Sequence, residues 1–363
     1  MRKLLITIFG IITLLIANEG CRKDICLTCI PDVDTSANFQ TTPYDFQSPT
    51  GFPTPVFADN NPLTIEGVAL GRKLFYDETW SNGGNTSCNT CHKQELSFSL
   101  GATCQANING TILPRDIMPL LNLAWKNSFA WDGRSQSLEE KIISTITNPL
   151  SMATTDSIIK LNLANDLTYQ ELYSKAFGSA DSISLNTTAK ALSQFIQIFV
   201  SNNSRYDEFK ASELEAIQFF TPAEFEGYII FNTETGDCFH CHGTDLITDD
   251  DWHNNGMDET FTDIGLGATT GNSSDNGKFK SNTLRNIEFT APYMHDGRFS
   301  TLEEVVEFYS FGVQATSPNI DPLMKKAQQG GIQLSASERA SLVAYLKTFS
   351  DNTFLSNTEY STQ

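Results

Sequence analysis

Two short strings in this sequence combine the side chains that attach and ligate an iron porphyrin. Residues 88–92 read CNTCH and residues 238–242 read CFHCH. Two cysteines spaced by two residues and followed at once by histidine form the attachment signature for c-type haem. The thiols bond the two vinyl groups of one porphyrin edge, and the histidine becomes the proximal iron ligand. The sequence therefore predicts two covalent haems, held by Cys88, Cys91 and His92 in the first half and by Cys238, Cys241 and His242 in the second.

A different interpretation of the same residues is a pair of structural zinc or disulfide sites. A zinc finger combines one CxxC with a second Cys or His pair at short spacing. The chain has only five histidines, and no such pair follows either string. We therefore favour haem, and we expect His240 inside the second motif to be an exposed side chain without a function, and His253 to be an ordinary loop residue.

The composition indicates a globular, acidic protein with room for two hydrophobic cores. The 363 residues are 40% hydrophobic and 18% charged, and the formal net charge is −19. A chain of this length is long enough to divide into two domains. The negative charge argues against nucleic acid and anionic membrane surfaces as partners, and it suits a basic redox protein.

The first twenty residues have the pattern of an export signal. Two basic residues follow Met1, and residues 4–17 form an apolar run that is too short to span a bilayer comfortably. Gly20 directly before Cys21 is typical of bacterial lipoprotein processing, in which Cys21 receives the lipid; ordinary cleavage nearby is the alternative. We predict a periplasmic or outer-membrane-associated lipoprotein that meets the membrane only through this anchor. That location agrees with c-type haem, which bacteria attach outside the cytoplasm.

Three cysteines are left after haem attachment and lipidation, namely Cys26, Cys29 and Cys104. An oxidising compartment permits one disulfide among them. The sequence does not decide which two of the three would pair, so all pairings stay open.

Both halves of the chain repeat one pattern after their haem motif. Asn122 and Asn286 are each followed by Asp-Gly-Arg, at residues 132–134 and 296–298, and then by Leu-Glu-Glu, at residues 138–140 and 302–304. No gap interrupts the match, and such self-similarity indicates a duplicated module. We predict a mainly α-helical fold of two cytochrome c-like mono-haem domains that face each other, with few short strands or none.

Local signals give the order of the elements. We predict a signal peptide over residues 1–20, a flexible tether over 21–55, an N-terminal haem domain over 56–212, a C-terminal haem domain over 213–350 and a frayed tail over 351–363. Apolar residues at helical spacing and capping boxes predict helices over 65–76, from Leu138, over 189–200, from Pro222, from Leu302 and after Ser335.

The two halves differ where a side chain would reach the iron from the distal side. In the second half Tyr309 lies on the apolar face of a predicted helix, and a tyrosine oxygen can ligate ferric haem. Its counterpart by the repeat is Thr145, a poor iron ligand, and no histidine occurs between the two haem motifs. Met118 and Met152 stay open as distal groups. The sequence thus predicts an open first haem and a second haem closed by His242 and Tyr309.

From about Pro62 to Phe349 the chain resembles the bacterial di-haem cytochrome c peroxidase family, including its methylamine-utilisation (MauG-like) branch. The resemblance rests on the two CxxCH motifs, on FAWDGR at residues 129–134 and on TAPYMHDG at residues 290–297. It implies that the first haem binds peroxide and that the second transfers electrons. It also implies that Trp131 relays electrons between the haems.

The same resemblance implies further roles. His295 matches a position with a structural or inter-haem role. A calcium ion between the domains would be bound by Asp116, where the family usually has asparagine, and by the carbonyls of Thr290 and Pro292. An aspartate suits this hard cation.

The chain departs from the classical peroxidase pattern in its ligands and in its acid/base residues. Peroxidases place methionine at the position of Tyr309 and a distal histidine after the first motif, whereas the MauG-like branch has the tyrosine. The family's distal glutamine and glutamate fall by gapless count on Lys141 and Ser151. A positioned general acid/base is worth about 10²–10⁴-fold in rate, so we expect slower peroxide cleavage unless Lys141, Glu140 or water substitutes. A solvated or propionate-paired Lys141 is the alternative.

Together these features predict an enzyme, a di-haem oxidoreductase of the cytochrome c peroxidase type. It would reduce hydrogen peroxide with electrons from a small redox protein, a cytochrome c or a cupredoxin. Two alternatives stay open. One is a MauG-like oxidase or maturase that acts on a protein side chain, favoured by Tyr309. The other is a non-enzymatic electron carrier or redox sensor, favoured by Lys141 and Ser151. A homodimer is also left open.

Overall fold

The computed structural model describes residues 39–55, 57–101 and 113–362. In this part of the chain the protein is mainly helical, with one antiparallel pair of two-residue strands, as predicted. None of its helices is long and apolar enough to cross a membrane. The signal segment and Cys21, Cys26, Cys29 and Cys104 lie outside the described residues, so lipidation and the disulfide stay predictions.

The helices follow one another in short segments separated by loops. Their bounds are α1 Ile65–Tyr76, α2 Cys88–Cys91, α3 Leu138–Thr147, α4 Asp156–Leu163, α5 Leu167–Phe177, α6 Leu185–Gln197, α7 Arg205–Ala211, α8 Ala216–Phe219, α9 Pro222–Phe231, α10 Phe239–His242, α11 Gly267–Thr270, α12 Leu302–Glu307 and α13 Ala336–Leu346. The strands are β1 Trp252–His253 and β2 Phe279–Lys280, and a π-helical turn, Phe308–Gly312, continues α12.

The N-terminal hydrophobic cluster is built on the crossing of α1 and α6. The two helices approach so closely that a Cβ on Gly71 would lie 2.0 Å from the carbonyl oxygen of Ala191. Phe75, Phe195 and Phe199 are fully buried around this crossing and meet edge to face. The prediction of a helix over residues 65–76 is confirmed, whereas the helix predicted over 189–200 begins and ends a few residues earlier.

The C-terminal hydrophobic cluster is also built on a close crossing of two helices at a glycine. Helices α9 and α13 cross where a Cβ on Gly227 would lie 2.1 Å from the carbonyl oxygen of Ser341. The capping boxes predicted for these helices are confirmed, because Thr221 pairs with Glu224 and Ser335 with Glu338. Helix α9 ends at Phe231, several residues before the second haem motif.

The sequence repeat has matching backbone features in the two halves. Asn122 and Asn286 are both left-handed, with φ of 54° and 58°. The side-chain oxygen of Asn122 accepts the Ser201 N–H at 2.9 Å, and that of Asn286 accepts the Asp351 N–H at 2.6 Å. Asparagine tolerates this conformation better than most residues because its short amide bonds to nearby backbone. The repeated asparagines therefore anchor equivalent turns.

The flexible tether predicted over residues 21–55 is wrong for residues 40–55. The Tyr44 N–H donates to the Leu63 carbonyl at 3.0 Å, and Phe46 and Phe52 pack on the Trp125 ring with centroids 5.7 and 5.0 Å apart. The segment is polar in composition, but three aromatic side chains bind it to the body. The free energy of burying aromatic rings outweighs that composition.

The end of the chain also differs from the prediction. Residues 351–362 are not frayed, because Phe354 and Tyr360 are buried in the N-terminal cluster. Gln94 holds this segment by donating to the carbonyls of Phe354 and Asn357 at 3.2 and 2.8 Å. The C-terminal end thus fastens onto the opposite half of the protein, a long-range contact that local sequence signals do not contain.

The predicted boundary at residues 212 and 213 lies one helix too late. Tyr206 and Phe209 of α7 pack against the C-terminal cluster, and Asp207 forms an ion pair with the buried Arg285 at 2.8 Å. Glu208, Lys210 and Glu213 are exposed, while the two aromatic side chains join the C-terminal half.

Candidate di-haem site

The first haem motif forms the short helix α2, and His92 follows its last residue. The His92 Nδ1–H donates to the Phe98 carbonyl at 2.7 Å. Because a carbonyl oxygen only accepts, this bond keeps the proton on Nδ1 and leaves Nε2 free to ligate iron. Burial, with a smaller effect of the Lys141 charge, lowers the pKa of His92 to about 4. The ring is therefore neutral at physiological pH, as a metal ligand must be.

The second haem motif has the same arrangement. The His242 Nδ1–H donates to the Ile247 carbonyl at 3.1 Å, and burial lowers the pKa of His242. His242, Cys238 and Cys241 line a largely apolar cavity with an empty volume of about 1790 Å³, part of it open to solvent. The two thiols, the oriented imidazole and the apolar cavity fit a covalently bound haem.

Tyr309 lines the same cavity as His242. It lies in the π-helical turn after α12, and its hydroxyl accepts the Asn255 side-chain N–H at 3.0 Å. Burial raises the pKa of Tyr309 to about 12, and the bond from Asn255 opposes that shift. Met257, Met294 and Met324 pack, as Tyr309 does, against the small hydrophobic cluster of Phe308, Val313 and Ala327. The sequence did not predict a role for Asn255, because no motif marks its position in a loop.

Trp131 belongs to the first half of the chain but lines the cavity of the second motif. Its Nε1–H donates to the Asp116 carbonyl at 2.9 Å, and its own carbonyl accepts the Lys280 N–H at 2.9 Å. These two bonds fix the indole at the junction of the halves. His295 lies nearby, buried and stacked on Phe279 at 3.6 Å between ring centroids.

The structure brings together the three residues expected to hold calcium. Asp116, Thr290 and Pro292 line one cavity, and the Asp116 N–H donates to the His295 carbonyl at 2.7 Å. Burial, helped by the charge of Asp296, raises the pKa of Asp116 to about 7. A carboxyl group that is costly to ionise in this place would gain from a bound cation, and a carboxylate oxygen is a donor that suits calcium.

Lys141 and Ser151 are placed differently with respect to the first motif. The Lys141 charge acts on His92, and the pKa of Lys141 is lowered by burial and then by the neighbouring Arg134, while Asp132 opposes the shift. Ser151 lies in the turn after α3, where its N–H donates to the Asn148 carbonyl at 2.9 Å. Both residues are described, and no hydrogen bond joins their side chains.

Glu140 and Thr145, which lie near Lys141 in α3, already form hydrogen bonds of their own. Glu140 accepts the Gln136 N–H at 2.8 Å and so stabilises the start of α3. The Thr145 hydroxyl donates to the Lys141 carbonyl at 2.9 Å within the same helix. The hydroxyl of Thr145, the residue that corresponds to Tyr309, is therefore already engaged in a hydrogen bond within its helix.

His253 is more firmly held than an ordinary loop histidine. Its Nδ1 lies 2.7 Å from an Asp321 carboxylate oxygen and its Nε2 lies 2.8 Å from an Asp249 oxygen. The bond to Asp249 is the largest of the causes that raise the pKa of His253 to about 11. The imidazolium thus joins β1 to the two loops that carry Asp249 and Asp321, and only the fold brings the two aspartates to it.

Comparison with known proteins identifies the family. The sequence profile of the di-haem cytochrome c peroxidase family matches residues 65–215. The chain is 35% identical over 305 residues to the methylamine utilization protein MauG of Methylorubrum extorquens, covering 84% of this chain and 82% of MauG. It is 31% identical over 250 residues to cytochrome c551 peroxidase of Nitrosomonas europaea, covering 68% and 73% of the two chains.

A solved structure gives the same result. The crystal structure of a MauG-like protein associated with microbial copper homeostasis superposes with a TM-score of 0.78 at 31% identity, covering 88% of this chain and 99% of that one. The similarity spans both haem motifs, since these two alignments cover 84% and 88% of the chain and leave too few residues at either end to exclude one of them. The chain therefore belongs to the di-haem cytochrome c peroxidase family.

Proposed function

We propose that the protein reduces hydrogen peroxide at its first haem with electrons that a small redox protein delivers through the second. The observation that carries this proposal is the difference between Tyr309 and Thr145. Tyr309 lines the cavity of His242, whereas the Thr145 hydroxyl is bonded within its own helix. A haem that reacts with peroxide needs an open face, and one that only carries electrons does not.

Bound haem supplies the redox chemistry at both sites. The chain's own residues hold and orient it: His92 and His242 offer Nε2 because their Nδ1–H groups are already bonded. Lys141 Nζ would supply a proton to the departing peroxide oxygen, and the lowered pKa of this largely buried ammonium supports that role. Trp131 is fixed by two backbone contacts at the junction of the halves, a position that suits an electron relay.

The test is steady-state oxidation of a reduced cytochrome c or cupredoxin by hydrogen peroxide, with the purified di-haem protein as catalyst. We expect donor oxidation that depends on both the protein and peroxide. If the ferric protein shows only low-spin haem and peroxide leaves its spectrum unchanged, the proposal fails and the electron carrier takes its place.

A second candidate is an oxidase that acts on a protein side chain, as the MauG-like branch implies. Tyr309 and the 35% identity to MauG favour it. The same assay separates the two, because such an oxidase would react with peroxide while leaving a reduced donor protein almost unoxidised. Its product would appear as a mass change in the substrate protein.

We further propose that calcium binds between the halves at Asp116, with the carbonyls of Thr290 and Pro292. The folded-state pKa of Asp116 lies above its unfolded value near 3.8. Without calcium, ionised Asp116 therefore destabilises the protein as the pH rises from about 4 to about 7. At about 1.4 kcal/mol per pKa unit, the loss in the free energy of unfolding reaches about 4 kcal/mol. The loss is smaller to the extent that water reaches the carboxyl group.

Chelation should therefore lower the melting temperature more at pH 8 than at pH 6. Asp116→Asn should remove this pH dependence, because an amide carries no charge in either state. The measurement is thermal unfolding with calcium or with a chelator at both pH values, and Asp181→Asn on the exposed surface is the matched control. A chelator effect of equal size at both pH values, or one that persists in Asp116→Asn, would contradict the assignment.

The matching turns at Asn122 and Asn286, and the matching helix crossings at Gly71 and Gly227, also support an origin of the two halves by duplication of one mono-haem module. On that interpretation the N-terminal module ends before α7.

A further inference from the structure

Three potential metal ligands surround one point beside the second haem motif. His240 lies between the two attachment cysteines, Asp237 directly precedes the motif, and Glu234 lies in the turn after α9. The His240 Nε2 is 3.0 Å from Asp237 Oδ1 and 3.5 Å from Glu234 Oε1. One ligand atom from each residue lies within 4.8 Å of the others.

A cation already occupies the point on which these side chains converge. The Lys325 ammonium lies 2.8 Å from His240 Nε2, 2.9 Å from Glu234 Oε2 and 3.8 Å from Asp237 Oδ1. Lys325 reaches in from a distant loop, and the adjacent Lys326 fastens that loop to the Thr235 carbonyl at 2.9 Å. The three side chains therefore attract a positively charged group.

Lys325 does not provide a hydrogen bond to every acceptor of this cluster. The Asp237 side chain is only 9% exposed, and its buried Oδ1 has no hydrogen bond among the described residues. The nearest nitrogen, His240 Nε2 at 3.0 Å, is the same atom that the Lys325 ammonium contacts at 2.8 Å. A buried carboxylate oxygen without a donor is unfavourable. A metal ion can accept electron pairs from both atoms at once.

The backbone holds the ligands in place without the ion. The Asp237 N–H donates to the Thr233 carbonyl and the Gly236 N–H to the Ile230 carbonyl, each at 2.9 Å. Asp237 itself is left-handed, with φ of 61°. The acidic side chain is therefore positioned by the turn and not by Lys325.

We propose that Glu234, Asp237 and His240 bind one divalent transition-metal ion, which displaces Lys325. One imidazole and two carboxylates suit Zn²⁺ or Cu²⁺, and three protein ligands leave a fourth position for water. This site shares no residue with the expected iron ligands or with the calcium site, and it does not depend on the proposed reaction.

The test is titration of the di-haem protein with Zn²⁺, and separately with Cu²⁺, in buffer that contains excess Ca²⁺ to keep the calcium site filled. We expect one ion per chain. His240→Asn and Asp237→Asn should each weaken binding at least about tenfold, since losing even an outer-shell partner costs that much. Lys325→Met should strengthen binding about fivefold, the worth of one exposed ion pair. Bound Cu²⁺ should show one nitrogen ligand by electron paramagnetic resonance.

Two controls separate the site from other effects. Lys347→Met removes an exposed lysine that pairs with Glu288 at 3.6 Å and should leave affinity unchanged. Because His240→Asn lies inside the attachment motif, Glu234→Gln serves as a further variant outside it, and haem content is measured for each protein. Absence of a stoichiometric ion, or an affinity that these substitutions do not change, would show that the cluster is only an ion-pair network and would overturn the proposal.

Discussion

Replacing Tyr309 by phenylalanine should convert the second haem from six-coordinate low-spin to high-spin in the ferric state. Tyr309 and His242 line the same cavity, and Asn255 positions the tyrosine oxygen by donating to it at 3.0 Å. Phenylalanine keeps the packing of the ring against Phe308 but removes the only oxygen of the side chain. We expect the low-spin signal of one haem to disappear from the optical and paramagnetic resonance spectra. The opened haem should then react with peroxide.

Tyr293→Phe is the matched control for this substitution. Tyr293 lines the same cavity, but its hydroxyl donates to the Ile287 carbonyl at 2.9 Å and is not available to the iron. The substitution Tyr293→Phe should therefore leave the spectra of both haems unchanged. If Tyr309→Phe keeps the low-spin signal, Tyr309 is not the ligand, and Met294, 3.8 Å from the Asn255 amide nitrogen, becomes the next residue to replace.

Replacing Lys141 by methionine should slow the reaction of the first haem with peroxide about 100-fold, at the lower end of what a positioned acid contributes. Burial and the charges of Arg134 and Arg115 lower the pKa of Lys141. If its ammonium donates the proton, the rate must fall as the pH rises through this lowered pKa. That limb of the pH–rate profile should be absent from Lys141→Met. Stopped-flow absorbance at several pH values is the measurement.

Lys141→Arg distinguishes proton transfer from simple charge. Arginine keeps the positive charge but does not give up its proton in proteins. If Lys141 transfers a proton, arginine will not restore the rate; if it only neutralises a haem propionate, arginine will restore most of it. Lys160→Met, which removes an exposed lysine paired with Asp156 at 2.7 Å, controls for a change in surface charge.

Local patterns in the sequence were sufficient to predict several of the helices. The apolar spacing of residues 65–76 and the capping boxes at Thr221 and Ser335 are short-range signals, and the helices that they predict are present. The same signals failed for residues 40–55 and 351–362. Both segments are polar on average, and their few aromatic side chains are bound by residues far away in sequence.

The sequence by itself determined the family resemblance, the two attachment motifs and the inequality of Tyr309 and Thr145, because each depends on residue type at a fixed spacing. Only the tertiary structure decided what surrounds these residues. Asn255 reaches Tyr309 and Lys325 reaches His240 from 54 and 85 residues away. Such contacts follow from how loops fold over the haem motifs, and no local pattern specifies them. For that reason His240, an unremarkable side chain in the sequence, became a candidate metal ligand.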